Sequence, residues 1–344
     1  MSIILDAMGS DRYPDPEIQA AVIAAEKFAE EIILVGDEAL IAPKLKEINT
    51  KNLPVVIEHA PDIVEMGEKP VEAARRKPRN SMAVGCELIK KGRGQAFITA
   101  GNTGGAMFNG LRTLGRIPGV ARPALTALFP TRGGGHCAVV DIGANADCRP
   151  EFLLQFAVLG SIYVEKILNK SNPRVGLLSN GEEAGKGNQL IKDTYHLLEH
   201  AGLNFIGNVE AKELFAGEAD VVVTDGFTGN VLLKSSESVA KMLTDTLKQE
   251  LMASFPRKIG AMLAKPAFSK LKEMMDPSEV GAAPLLGIDG LVFVGHGRSD
   301  SQALVSAIRV ARQAIQADLL PAMQVAIAER KEMLENITAP DSSH

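Results

Sequence analysis

Tryptophan is absent from this 344-residue chain, and aromatic residues make up only 4% of it. Little material is therefore available for stacking single-stranded bases. A formal net charge of −5 also argues against nucleic acid as the main partner. Cysteine is sparse: Cys86, Cys137 and Cys148, with no CxxC pair. That pattern fits a reducing, cytoplasmic setting and supplies neither a disulfide framework nor a zinc signature. Cys137 and Cys148 stand near His136, but both read as small buried hydrophobes. No uncharged apolar run reaches the ~18–20 residues that span a bilayer. The first apolar run stops at Asp6, unlike a secretory signal. The usual catalytic signatures are missing as well: no GxSxG elbow, no HExxH, and no GxGxxG after a strand. No acidic cluster has metal-ligand spacing, and no cofactor is expected.

What the chain does have is alternation. Short apolar runs such as Ser2–Leu5, Ile32–Val35 and Ala96–Thr99 each precede a stretch with helical spacing, for instance Glu17–Ala29 and Glu38–Ile48. This is the pattern of βαβ units, an α/β fold with a mostly parallel sheet covered by helices. Pro123–Phe129 and His136–Val140 flank a glycine-rich turn and predict an antiparallel hairpin, so the sheet is mixed. Pro150–Leu168 predicts a long helix, and Ala282–Gly287 reads as a turn of small residues. From about Ser301 to Asn336 the chain reads as helical, with a break or kink at Pro321. Residues 1–337 read as a single α/β domain with a helical excursion near 240–280, followed by a disordered tail at 338–344.

Six strand-end turns carry the candidate chemistry. Gly181–Asn188 follows an apolar run and precedes a helix, so its amides and Lys186 suit an anion. It is not a Walker A loop, because three residues separate Gly181 from Gly185-Lys186 and Gly187 follows the lysine. Alone, it reads equally well as a plain surface turn. Asp6–Asp11, Gly101–Gly105, Asp141–Asn145, Asp225–Asn230 and Gly295–Asp300 share its form. If the strands run parallel, most of these turns meet at one sheet edge. Such a site is rich in amides and carboxamides, binds an anion and stabilises an oxyanion without an enzyme nucleophile. A second feature is the basic, apolar segment Met252–Met275, with Arg257, Lys258, Lys265 and Lys270. It suits an acidic partner or an anionic lipid surface, or else a helical hairpin packed into a dimer or into the core.

The motifs DAMGSD (6–11), AGNTGG (100–105), DIGANADCRPEF (141–152), GEEAGKGN (181–188), DGFTGNVLLK (225–234) and HGRSD (296–300) resemble the bacterial phosphate acyltransferase (PlsX-type) family over roughly residues 3–316. Ser10, Ala282 and Arg298 depart from the family's usual residues at turns. The resemblance implies a Rossmann-like αβα sandwich related to phosphate acetyltransferases and isocitrate dehydrogenase-like proteins. It implies formation of acyl phosphate from acyl-acyl carrier protein and inorganic phosphate, feeding phospholipid synthesis. It further implies a homodimer, peripheral membrane contact, and contact with a downstream glycerol-3-phosphate acyltransferase. On that basis Lys186, Asn230 and His296 are expected to be catalytic, with a purely structural role as the alternative for His296. Asn102, Thr103, Gly104, Gly105, Asp141, Asn145, Glu182, Asn188 and Asp225 are expected to bind or order the phosphate, with Asp141 and Asp225 orienting lysine or amides. The enzyme alternative uses acyl-CoA in the manner of a phosphate acetyltransferase. The non-enzyme alternative is a membrane-associated scaffold.

Overall fold

A computed structural model describes residues 1–48, 53–268 and 281–330. The first half of the chain forms β1 (Ser2–Asp6), α1 (Asp15–Phe28), β2 (Glu31–Gly36), α2 (Glu38–Glu47), β3 (Val55–His59), α3 (Pro70–Arg76), α4 (Ser81–Lys90), β4 (Ala96–Thr99) and α5 (Thr103–Thr113). Next come β5 (Ala124–Pro130), β6 (His136–Val140), α6 (Pro150–Leu168), β7 (Val175–Leu178), α7 (Gln189–Glu199), β8 (Phe205–Val209), α8 (Ala211–Ala216) and β9 (Val221–Val223). A helical arm, α9 (Gly226–Met252) and α10 (Phe255–Leu263), leads towards β10 (Ala283–Leu286) and β11 (Leu291–Val294). Helices α11 (Ser301–Gln316) and α12 (Leu319–Glu329) complete the described chain.

One 11-stranded sheet runs in the order β3-β2-β1-β4-β11-β10-β5-β6-β9-β7-β8. Its inner strands bury both faces, as their near-continuous Val/Ile/Leu content requires, while the edge strands β3 and β8 are partly exposed. Ile3, Leu5, Ile32 and Leu34 pack into one core cluster, while Ile4, Ile33 and Val35 pack into the other. That split is the period of two that a strand imposes. Helices therefore cover the sheet on both sides.

The sheet divides into two halves of opposite direction. β3, β2, β1, β4 and β11 are mutually parallel, and so are β6, β9, β7 and β8. Between them β10 and β5 run antiparallel to each other, β10 to β11, and β5 to β6. β5 acts as the ruler. Its Ala124 and Leu125 pair with β10, whereas Thr126–Pro130 pair with β6, Val140 lying opposite Thr126. The halves are thus offset, and the carboxyl ends of β11 and β6 both open beside the middle of β5. The expected convergence of turns on a single parallel edge is corrected here: two opposed sets face one cleft.

Three other expectations change. Ala282–Gly287 contains strand β10, whose short apolar run Pro-Leu-Leu is buried on both faces. Sequence spacing also passed over α4, whose Asn80 side chain accepts from the Ala83 amide as its N-cap. The final break lies at Ala317–Asp318, where Asp318 takes φ 51°, and Pro321 sits in the first turn of α12. Proline is tolerated there because the first helical amides lack intrahelical partners.

Candidate functional site

The cleft between the half-sheets holds a cavity of about 360 Å³. Thr103, Gly295 and His296 reach it from the half that contains β4 and β11, and Ile142, Gly143 and Asn230 from the other half. Its deeper lining is apolar, with Leu125, Ala127, Leu128, Leu233 and Val294. An apolar pocket with a few convergent polar groups is the usual form of a small-molecule site.

One wall is the N-terminal half of α9. Asp225 caps this helix, its carboxylate accepting from the Thr228 amide at 2.8 Å and the Thr228 hydroxyl at 2.7 Å. The helix then lies directly on the turn after β6. A methyl at Gly229 would overlap the Asp141 carbonyl oxygen, and one at Gly226 would come within 2.6 Å of the Asn145 carbonyl oxygen. The spacing Gly-x-x-Gly is therefore a packing requirement, and it fixes Asn230 at the cavity edge. Asn230, Lys234 and Glu237 follow at intervals of four and three along the same helix face. Glu237 lies 3.4 Å from His296 Nε2 and 3.3 Å from Lys234 Nζ. His296, and then Lys234, hold the Glu237 carboxyl below its ordinary range despite partial burial.

The other expected residues divide by role. Asp141 is fully buried and accepts from the amides of Leu125, Gly143, Ala144 and Asn145. Burial pushes its carboxyl up, against the pull of those donors. Both of its oxygens are engaged in ordering this turn. Asn145 joins the same knot, donating to Pro123 O and to Asp141. Asn102 caps α5 by accepting from Gly105 N at 2.9 Å, and donates to Met66 O at 2.8 Å. The Gly105 amide is thereby committed, and Gly104 packs beneath Pro70. Thr103 alone of this turn lines the cavity.

Lys186, Glu182 and Asn188 lie two strands away from β6, on the turn between β7 and α7, and none of them lines the cavity. Asn188 caps α7 through the Ile191 amide. Gly187 takes φ 94° and donates to the Asn180 side chain at 2.9 Å, which closes the loop on itself. Glu182 pairs with Lys212 at 3.0 Å, in a cluster with Glu210 and Glu213. Lys186 itself is exposed.

Sequence reasoning passed over Lys234 and Glu237. The available signal was their helical register with Asn230 within DGFTGNVLLK and beyond it.

Burial pushes the thiols of Cys86, Cys137 and Cys148 up to about 12, so all three stay protonated at neutral pH and are poor nucleophiles. In the helical arm, Arg257 pairs with Glu250 at 2.6 Å. Lys258 and Lys265 are exposed, and among the described residues neither meets a carboxylate; Lys270 lies outside the described residues. Phe255, Met262 and Leu263 are each more than two-thirds exposed. No helix among the described residues is long and apolar enough to cross a membrane.

Comparison with known proteins gives a consistent result. The family model described as "Fatty acid synthesis protein" matches residues 1–321. A phosphate acyltransferase of Elusimicrobium minutum (strain Pei191) is 45% identical over 340 residues, covering 98% of this chain and 99% of its own. Another, from Myxococcus xanthus (strain DK1622), is 48% identical over 316 residues, covering 90% and 89%. Among solved structures, EutD phosphotransacetylase from Staphylococcus aureus superposes with a TM-score of 0.58 at 17% identity, covering 92% of this chain and 94% of that one. A branched-chain phosphotransacylase from Enterococcus faecalis V583 gives 0.58 at 15% identity, covering 91% and 99%. These structural likenesses concern the fold alone.

Proposed function

The chain belongs to the fatty acid synthesis protein family, with phosphate acyltransferases as its curated relatives, and from that premise we propose that acyl phosphate forms in the cleft between the half-sheets. The protein is an acyltransferase, and its nucleophile is phosphate. The observation that carries the placement is the juxtaposition of Asn230 and His296, contributed by opposite half-sheets, above an apolar cavity. The apolar lining suits an acyl chain, and the polar rim suits an anion.

The acyl donor in this proposal is the thioester of acyl carrier protein. A phosphate oxygen attacks the thioester carbonyl, the carbonyl electrons move onto oxygen, and collapse of the tetrahedral adduct expels the thiolate. A free thiol of this kind has a pKa of about 8.5, so the leaving group needs little acid help. The protein's tasks are to hold phosphate beside the carbonyl and to stabilise the oxyanion. Asn230 is the carboxamide donor to that oxyanion. His296 donates to phosphate or to the departing sulfur. Lys186 is included on the pattern of its glycine-rich turn, as a positive charge for phosphate or the oxyanion; it stands outside the cavity lining. Asn102, Asp141, Asn145 and Asp225 hold the turns that frame the site.

The homodimer, peripheral membrane contact and contact with a glycerol-3-phosphate acyltransferase belong to the same proposal. They are supported by the exposed apolar side chains of α9 and α10 beside Lys258 and Lys265. Substituting glutamine for both lysines is expected to weaken use of the acidic carrier protein or binding to anionic liposomes at low salt.

The deciding experiment offers acyl-carrier protein and acyl-CoA separately, with and without phosphate, and follows thiol release and acyl phosphate. Phosphate-dependent release from the carrier protein is expected. Release from acyl-CoA alone would select the other donor. No phosphate-dependent release from either would leave a scaffold.

A further inference from the structure

Lys234 and Glu237, on the face of α9 that fronts the cleft, have no part in the chemistry proposed so far, although they adjoin His296. Glu237 divides its two carboxylate oxygens. Oε1 lies 3.4 Å from His296 Nε2, and Oε2 lies 3.3 Å from Lys234 Nζ. One carboxylate thus holds an imidazole from one half-sheet next to an ammonium from the other. All three side chains line the same cavity. Lys234 and His296 are each about half exposed, at 52% and 49%, whereas Glu237 is only 22% exposed. The carboxylate therefore sits behind, and the two groups it holds face the open side.

The donor inventory suits a second acid in front. An ammonium has three N–H groups and Glu237 engages one, which leaves two. The imidazole keeps Nδ1 beyond the nitrogen that meets Glu237. A tetrahedral dianion takes several such donors at once, and a flexible lysine meets it as a point charge. The deeper lining, with Leu125, Leu233 and Val294, offers no comparable partner for charge.

We propose that Lys234 and His296 form the phosphate-binding pair of the cleft, and that Glu237 is the positioning residue that sets their spacing. The proposal rests on the cleft being the site of acyl transfer. It puts the phosphate at the α9–β11 side of the cavity and leaves the apolar side to the acyl group.

The test is steady-state kinetics on the full chain, varying inorganic phosphate and acyl thioester independently. Lys234→Met is expected to raise the KM for phosphate at least tenfold while moving the thioester KM less than twofold. Lys234→Arg, which keeps the charge, is expected to restore the phosphate KM to within threefold of the parent. Glu237→Gln keeps the shape and loses the charge, and is expected to raise the phosphate KM several-fold with the same selectivity. Lys234→Gln serves as a second probe and is expected to match Lys234→Met. A folded Lys234→Met with a parental phosphate KM overturns the proposal, as does a thioester KM that rises in step. If the parent protein itself releases no thiol when phosphate is added, the acyl-transfer reading falls and the proposal with it. An active parent with an indifferent Lys234→Met removes the proposal alone.

Discussion

The turn that begins α9 and the turn that begins α7 have the same sequence grammar: a buried strand, glycines, an Asp or Asn side chain as helix cap, and a lysine in the turn or in the helix it starts. They differ in what they meet. The α9 turn packs glycine backbone against the Asp141–Asn145 loop and faces the opposite half-sheet across a cavity. The α7 turn closes on its own side chains, and its acidic residue Glu182 is drawn to Lys212. The two turns therefore differ in what lies across from them, which local sequence does not encode.

Four substitutions test that contrast. The largest effect is expected from Gly229→Ala, because the added methyl overlaps the Asp141 carbonyl oxygen. Losses of about 3 kcal/mol or more in stability and over 100-fold in turnover are expected, measured by thermal unfolding and thiol release. A variant that is both stable and active would show that the α9 start need not touch this loop. Asn230→Ala comes next. Removing one oxyanion donor typically costs about 10²–10³ in turnover, and an unchanged unfolding midpoint is expected for this exposed side chain. Turnover near that of the parent would take Asn230 out of the chemistry.

Lys186→Ala sharpens the comparison most directly. At about 4 Å and an effective dielectric of about 20, a charge pair is worth roughly 4 kcal/mol before desolvation. A loss of at least tenfold in turnover is expected if the α7 turn contributes its charge. A change below twofold would confine the chemistry to the α9 side. The smallest effect on activity, within twofold, is expected from Glu17→Gln, behind the turn after β1. Glu17 is fully buried, accepts from the Ser10 amide with Oε1, and leaves Oε2 without a partner. Burial raises its carboxyl from 4.5 to about 7. The folded state thus holds this proton more tightly than the unfolded state, and stability falls as pH climbs from about 4.5 through 7. Glutamine has no proton to lose. The variant should gain on the parent by about 2.5 kcal/mol between pH 5 and pH 8, read from denaturant midpoints at each pH. Parallel pH curves for the two proteins would refute this account.

Much of the fold was legible because strands buried on both faces write continuous apolar runs, and amphipathic helices write a separate period. The β5–β6 hairpin was legible from its glycine turn. Strand β10 was not, because a four-residue run opening Ala-Pro carries too little pattern to tell from a turn. The reversal of direction between half-sheets was also hidden, since direction depends on which distant strands pair. For the candidate site, Asn230 and His296 stood out because each belongs to a glycine-rich polar stretch that begins where a strand ends. Lys234 and Glu237 sit about two and three turns into a helix, where charged residues ordinarily face solvent. Only the neighbouring His296, 59 positions later in sequence, distinguishes them from a solvated helix face.

Helix α9 also has a mechanical consequence. At about 1.5 Å per residue, it runs roughly 35 Å from Gly229, where its backbone is pressed onto the loop after β6, to Met252 beside the exposed apolar end of the arm. It is a rod pinned near one end. Asn230 sits almost on the pivot, while Glu237 stands about 12 Å out. A sideways push of 3 Å on the far end, by whatever grips that surface, would reach Glu237 as about 1 Å and Asn230 as a small fraction of an ångström. The same rod would thus shield one side chain from events at the arm's tip and report them to the other.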